Sequence, residues 1–162
     1  MVTLTIKWQR LVDEQGQTCE RCNSTKTEVR KAARVLRRSL AAVGVRVALE
    51  EEVLDPAGFA TDPLQSNRIW LAGRPLEEWL GANAGQSPCS TCPPGFCEDV
   101  ECRTIEIEGR VYEAIPAESI VKAGLLAASE IVPSAPARTC CGTMPSASGC
   151  DCRGPRESGE RQ

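Results

Sequence analysis

The chain has 162 residues, and its 19 Lys and Arg against 22 Asp and Glu give a formal net charge of −3. This mildly acidic balance, without a basic stripe, argues against nucleic acid as the main partner, and no run of about 18 apolar residues could span a membrane. The chain has 10 cysteines and no histidine, which excludes Ser-His-Asp and Cys-His catalysis and zinc fingers with histidine ligands.

The first elements of the chain predict a β-α-β unit. Residues 2–8 alternate apolar and polar side chains, which indicates a strand with one buried face. A helix is predicted over 24–43, because apolar residues recur there at spacings of three and four, and Thr25 with Glu28 has the spacing of a capping box. A second alternating strand over 45–53 would lie parallel to the first, with a right-handed crossover.

The rest of the ordered domain, 1–132, follows from similar signals. We predict a third strand over 68–72, a short helix over 76–80, a hairpin over 104–115 and a helix over 117–131. Residues 83–102 show little periodicity and read as a structured cysteine-rich insert. Residues 133–162 are rich in Pro, Ser and Gly, so we expect a disordered cysteine-rich tail.

The first pair of cysteines, Cys19-x-x-Cys22, lies between a predicted strand and a predicted helix. A helix N-terminus stabilises a thiolate, Arg21 adds positive charge, and the i, i+3 spacing lets one thiol attack a mixed disulfide formed by the other. Cys19 is the expected nucleophile and Cys22 the resolving thiol. Metal ligation and an inert pair remain alternatives. With a cap at Thr25 both thiols would precede the helix, whereas a cap at Thr18 would bring the dipole closer.

The second group, Cys89, Cys92, Cys97 and Cys102, places four thiols within fourteen residues. Four thiolates on one loop can close a tetrahedral zinc site, and the metal would order a segment that lacks a core. An iron–sulfur cluster fits the spacing less well, and two disulfides are a further alternative. Cys102 could instead be a small buried hydrophobic residue of the sheet.

The third group, Cys140, Cys141, Cys150 and Cys152, lies in the predicted tail. Four thiols beside the Met144 thioether suit a soft ion such as Cu(I), Zn(II), Hg(II) or As(III). A mobile tail could also exchange electrons with the first pair. The alternative is a tail whose thiols have no specific role. The polar run 66–68 is a weaker candidate that could face the thiols.

Several stretches together resemble a bacterial and archaeal family known as a domain of unknown function (DUF2703). They are TCERC at 18–22, PLQSNRI at 63–69, GRPLEEWLG at 73–81, SPC at 87–89, CRT at 102–104, YEAIP at 112–116 and KAGLL at 122–126. The resemblance covers residues 1 to about 130 and implies a thioredoxin-like fold with a thiol theme, not an activity. Redox-active thioredoxins usually carry a cis-proline before the third strand, where this chain has Ser66 and Asn67.

We therefore expect an α/β protein with a thioredoxin-like mixed sheet of four to five strands, flanked by helices. The expected function is thiol–disulfide exchange through Cys19 and Cys22, with protein or small-molecule disulfides as partners. The alternative is a binding or carrier protein for zinc or another thiophilic metal, and a third is an interaction module whose loop zinc orders. The first residues carry no basic segment followed by an apolar one, so we expect a cytoplasmic location.

Overall fold

The computed structural model describes residues 1–90, 92 and 100–133 of the chain. Within this part lie strands β1 (Val2–Leu11), β2 (Val45–Leu54), β3 (Arg68–Leu71), β4 (Arg74–Pro75), β5 (Asn83–Pro88), β6 (Glu101–Ile107) and β7 (Arg110–Tyr112), and helices α1 (Glu20–Leu40), α2 (Pro56–Thr61), α3 (Leu76–Leu80) and α4 (Ala117–Ile131). Short 3-10 turns at Ala41–Val43 and Pro63–Gln65 follow α1 and α2. Among the described residues, no helix has the length and hydropathy needed to cross a bilayer.

The strand β1 is the centre of the larger sheet. It pairs in parallel with β2 and antiparallel with β3, and the strand order is β2-β1-β3-β4. Its inward residues Leu4, Ile6 and Trp8 are fully buried, while Thr5 and Lys7 on the other face are partly exposed. The alternation seen in the sequence therefore predicts both the strand and its buried face, and the parallel β-α-β unit is confirmed.

The long helices α1 and α4 pack beside each other over the buried face of β1. A Cβ added at Gly124 of α4 would lie 2.5 Å from Leu36 Cδ1, so the absence of a side chain lets the helices approach. The helix predicted over 117–131 is confirmed as α4, and it packs against α1.

The start of α1 differs from the prediction. The helix begins four residues before residue 24, with Cys19 at the N-cap. Thr25 is a buried residue inside the helix, where its hydroxyl accepts hydrogen bonds from the backbone N–H of Ile115 at 3.2 Å and from Asn67 Nδ2 at 2.9 Å. Glu28 accepts the N–H of Ala117 at the start of α4. The apparent capping box thus forms tertiary contacts instead.

A second sheet, which the sequence did not predict, has the order β5-β6-β7. The hairpin of β6 and β7 is as expected, and its turn has positive φ at Glu108 (51°) and Gly109 (77°), as a tight two-residue hairpin requires. Within the insert predicted over 83–102, residues 83–88 form β5, which pairs antiparallel with β6.

The α/β class with a mixed sheet of four strands and flanking helices is confirmed in the described part of the chain. The predicted tail, 133–162, lies outside the described residues apart from Pro133. Outside the described residues therefore lie all four tail cysteines, Cys140, Cys141, Cys150 and Cys152.

Candidate functional site

A short polar loop carries the chain from the end of β1 to the start of α1. The Asp13 carboxylate accepts the N–H groups of Gln15 and Gln17 at 2.9 and 2.7 Å, which closes the turn. The Thr18 hydroxyl then donates to the carbonyl of Leu11 at 2.7 Å. These bonds fasten the loop to the last residue of the strand, so the next residue, Cys19, enters the helix from a fixed position.

The predicted pair is brought together at this junction. Cys19 is the N-cap of α1, with extended backbone, and Cys22 lies in the first turn. Only 2 % of Cys19 and 3 % of Cys22 is exposed, and both belong to the main hydrophobic core. The pair is therefore reactive only toward groups that can reach a nearly closed site.

The two thiols differ in acidity. The pKa of Cys19 is lowered from 9.0 to about 6, chiefly because the Cys22 thiol hydrogen-bonds to it, and further by the backbone N–H groups of Cys22 and Arg21 and by the Cys89 thiol, against the opposing effect of burial. The pKa of Cys22 is raised well above its ordinary value by that same hydrogen bond, by burial and by the Cys19 charge. Negative charge therefore collects on Cys19.

Two cysteines of the second predicted group join the first pair. Cys102 is buried on β6, and Cys89 is half-buried directly after β5. Burial is the largest cause that raises the pKa of Cys102 to about 12, and interactions with the charges of Cys89 and Cys19 and a hydrogen bond to Cys89 act in the same direction. The Cys89 thiol is thus a hydrogen-bonding neighbour of both Cys102 and Cys19.

Arg21 links the start of α1 to the second sheet. Only 4 % of its side chain is exposed, and its guanidinium pairs with Glu113 Oε1 at 2.8 Å. It also donates to the Ser87 hydroxyl at 3.1 Å and to the Pro88 carbonyl at 3.0 Å, with longer bonds to the carbonyls of Ser87 and Cys102 at 3.4 Å. The motif residue between the two cysteines therefore holds the strand ends that carry Cys89 and Cys102.

A cavity of about 190 Å³ opens beside the start of α1. Its lining is polar and comes from three parts of the chain: Glu20, Arg21, Ser24, Ser90, Glu113 and Ala114. Three of its lining residues, Glu20, Arg21 and Ser90, are sequence neighbours of Cys19, Cys22 and Cys89, although none of the described cysteines lines the cavity itself. Sequence reasoning did not assign Ser87 or Glu113 to the site, although both lie in stretches that carry the family resemblance, at 87–89 and 112–116.

Only part of the predicted metal group, Cys89, Cys92 and Cys102, lies within the described residues. Cys89 and Cys102 are neighbours, Cys92 is disulfide-bonded, and Cys97 lies outside the described residues. In the parts of the chain that are described, no group of three or more Cys, His, Asp or Glu side chains is arranged to hold a metal ion. The thiols of Cys102, Cys89, Cys19 and Cys22 form a chain of neighbours instead of one shared centre.

The polar run 66–68 makes structural contacts. Asn67 is buried, accepts a hydrogen bond from Trp8 Nε1 at 3.1 Å and donates to the Thr25 hydroxyl at 2.9 Å. Arg68 lies over the Trp70 ring at 5.0 Å from its centre. These contacts join β1, β3 and α1, and they account for the run without a ligand.

The chain is similar to known proteins over most of its length. The model of a family described as a domain of unknown function (DUF2703) matches residues 4–124. An uncharacterized protein of Archaeoglobus fulgidus is 41% identical over 117 residues, which cover 72% of this chain and 82% of that protein. No solved structure matches the chain.

Proposed function

The chain belongs to the DUF2703 family, and we propose that it is a cytoplasmic thiol–disulfide redox protein that acts through Cys19 and Cys22. One observation carries the proposal: Cys19 caps a helix beside Cys22, and the pKa of its thiol is lowered to about 6. At neutral pH such a thiol is largely thiolate, which is the form that attacks disulfides. The family match and the relative say nothing of this activity.

The exchange has two steps. The Cys19 thiolate attacks one sulfur of a substrate disulfide, the substrate S–S bond breaks, and the released thiolate takes up a proton. The Cys22 thiol then loses its proton to solvent and attacks Cys19, which forms the Cys19–Cys22 disulfide and releases the second substrate thiol. Two electrons pass from the dithiol to the substrate.

The environment of Cys22 changes during this sequence in the required direction. Its pKa is raised first by the hydrogen bond to Cys19, and also by burial and by the charge on Cys19. A mixed disulfide on Cys19 carries no charge, so the electrostatic part of this effect is absent when Cys22 has to act. The resolving thiol is therefore held protonated until the first step has occurred.

The fold supports a thioredoxin-like interpretation, in which the pair lies between a central strand and the following helix. The parallel β1-α1-β2 unit with an antiparallel β3 beside it provides this placement. One feature departs from thioredoxins, because every peptide bond among the described residues is trans, including those before β3. With so little of Cys19 exposed, we infer a small or extended disulfide as the substrate, entering through the cavity beside α1.

Soft-metal binding by the loop and tail thiols stays a prediction. Of its eight cysteines only Cys89, Cys92 and Cys102 are described, and the disulfide at Cys92 would have to be reduced before that sulfur could bind a metal. No observation in the described part of the chain favours it over redox exchange.

The test is a single-turnover reaction of reduced protein with hydroxyethyl disulfide, followed by peptide mapping. We expect release of two thiols per protein and a Cys19–Cys22 disulfide. Cys19→Ser should lose the fast phase, whereas Cys102→Ser, a matched change of a buried thiol whose pKa is raised to about 12, should retain it. An equal rate for the wild type and Cys19→Ser would overturn the proposal, and so would tight zinc binding by reduced protein without turnover.

A further inference from the structure

Cys89 is a neighbour of the Cys19 thiol that comes from the end of β5 and not from the helix. The thiols of Cys89 and Cys19 are hydrogen-bonded, and so are those of Cys102 and Cys89. Packing agrees with these hydrogen bonds, since Cys89 lies against the main core, which contains Cys19 and Cys22, and against the smaller cluster that contains Cys102. Cys19 therefore has two neighbouring thiols, one in its own helix and one from the second sheet.

The position of Cys89 is set by several contacts that do not involve sulfur. The residue before it, Pro88, pairs with Glu101 of β6, and Ser87 pairs with Cys102. Arg21 donates to the Ser87 hydroxyl and to the Pro88 carbonyl, at 3.1 and 3.0 Å. The residue between the two cysteines of the motif thus fixes the strand end from which Cys89 projects.

The two neighbours of Cys19 differ in access. Cys22 is 3 % exposed, whereas Cys89 is half-buried and precedes Ser90, which lines the cavity beside α1. Cys89 is thus the more accessible of the two neighbours. A more accessible thiol can act on a mixed disulfide without any change in the helix.

We propose, on the basis of the exchange function above, that Cys89 is a second resolving thiol, which forms a Cys19–Cys89 disulfide. In this step the Cys89 thiol loses its proton to solvent and attacks the Cys19 sulfur of the mixed disulfide. The bond between Cys19 and the substrate breaks, and the substrate thiolate leaves and takes up a proton. The product joins the start of α1 to the end of β5. Oxidation would therefore link the second sheet covalently to α1.

The experiment uses the full chain with Cys22→Ser, reduced and mixed with one equivalent of hydroxyethyl disulfide. We expect the mixed disulfide on Cys19 to decay with release of a second thiol, and peptide mapping to find a Cys19–Cys89 link. In Cys22→Ser/Cys89→Ser the mixed disulfide should persist about tenfold longer or more, because an adjacent thiol reacts as an intramolecular nucleophile. Cys22→Ser/Cys150→Ser, the same change at a cysteine outside the proposed site, is the matched control and should decay like Cys22→Ser.

The outcomes separate the two proposals. Equal lifetimes of the mixed disulfide with and without Cys89 would overturn the role of Cys89 and leave the exchange function in place. Failure of Cys19 to form a mixed disulfide in any variant would overturn the exchange function itself. If the double variant folds poorly, mapping the disulfides of oxidised wild type in a glutathione buffer replaces it, and absence of a Cys19–Cys89 link there would overturn the proposal.

Discussion

In the larger sheet, β1 has three fully buried apolar residues, Leu4, Ile6 and Trp8, whereas in the second sheet β5 has no fully buried side chain. Burial of each such large apolar residue contributes roughly 1.5–3 kcal/mol. β5 is held instead by its backbone pairing with β6 and by hydrogen bonds from Arg21. Apolar burial thus stabilises the larger sheet with α1 and α4, which we call the frame. Polar contacts position β5, the strand that leads to Cys89.

The thiols lie where these two modes of stabilisation meet. Cys19 and Cys22 belong to the core of the larger sheet, and Cys102 belongs to a smaller cluster with Leu11, Leu54 and Phe59. It follows that changes in the frame should unfold the molecule, whereas changes in the polar contacts should alter the site first.

The largest effect is expected from Ile6→Ala, which tests the apolar burial that stabilises the larger sheet. Ile6 is fully buried on the central strand, so its truncation should cost about 2–5 kcal/mol of the free energy of unfolding. Urea denaturation measures the loss. Thr5→Ala, on the partly exposed face of the same strand, is the control and should cost less than about 1 kcal/mol. Similar losses at the two positions would contradict the asymmetry of the faces.

Arg21→Met tests the polar contacts that hold the second sheet. The change leaves the Pro88 and Cys102 carbonyls without their guanidinium donor, and an unsatisfied buried group costs about 1–3 kcal/mol, so we expect a loss of about 2–4 kcal/mol. Hydrogen exchange should increase in β5 and β6 before it increases in β1. Arg30→Met on the same helix, whose side chain is 55% exposed in its ion pair with Glu51, should change stability by no more than about 1 kcal/mol. Uniform loss of protection in both sheets would show that Arg21 supports the whole fold.

A third effect is expected in the pH dependence of stability, which isolates Cys19. Because its pKa falls from 9.0 when unfolded to about 6 when folded, the unfolded state binds more protons between these values, and the contribution of this group should increase with pH across that window and vanish below it. Urea denaturation of reduced wild type and Cys19→Ser at several pH values measures the difference. Cys102→Ser is the control, since a pKa raised to about 12 gives no pH dependence below 9.0. A constant difference between wild type and Cys19→Ser would argue against a buried thiolate.

The frame could be predicted from the sequence because its signals are local. Alternation over residues 2–8 reports a strand with one buried face, and the apolar spacing of α1 and α4 reports their packing. The predicted start of α1 was wrong because cysteine is not one of the usual N-cap residue types, while Thr25 and Glu28 have the spacing of a capping box. Their side chains are used for contacts with residues about ninety positions away, which no local pattern reveals.

The site was predicted only in part, for a related reason. Cys19 and Cys22 are only three positions apart in the chain, so their pairing could be inferred from spacing. β5 could not, since its sequence NAGQSP contains no β-branched or aromatic residue, and it forms a strand because β6 pairs with it. Without that pairing, Cys89 and Cys102 could be grouped only by their closeness in sequence, which predicted a metal loop and did not place them beside Cys19.

The acidity of Cys19 tests the account most directly. The measurement is the rate of alkylation of Cys19 by iodoacetamide in reduced protein, followed across pH by peptide mapping. We predict that the rate rises through a midpoint near the lowered pKa, about 6, and then levels off. A midpoint at the ordinary thiol value of 9.0 would show that the helix start and its neighbouring thiols do not activate this cysteine, and would contradict the proposed function.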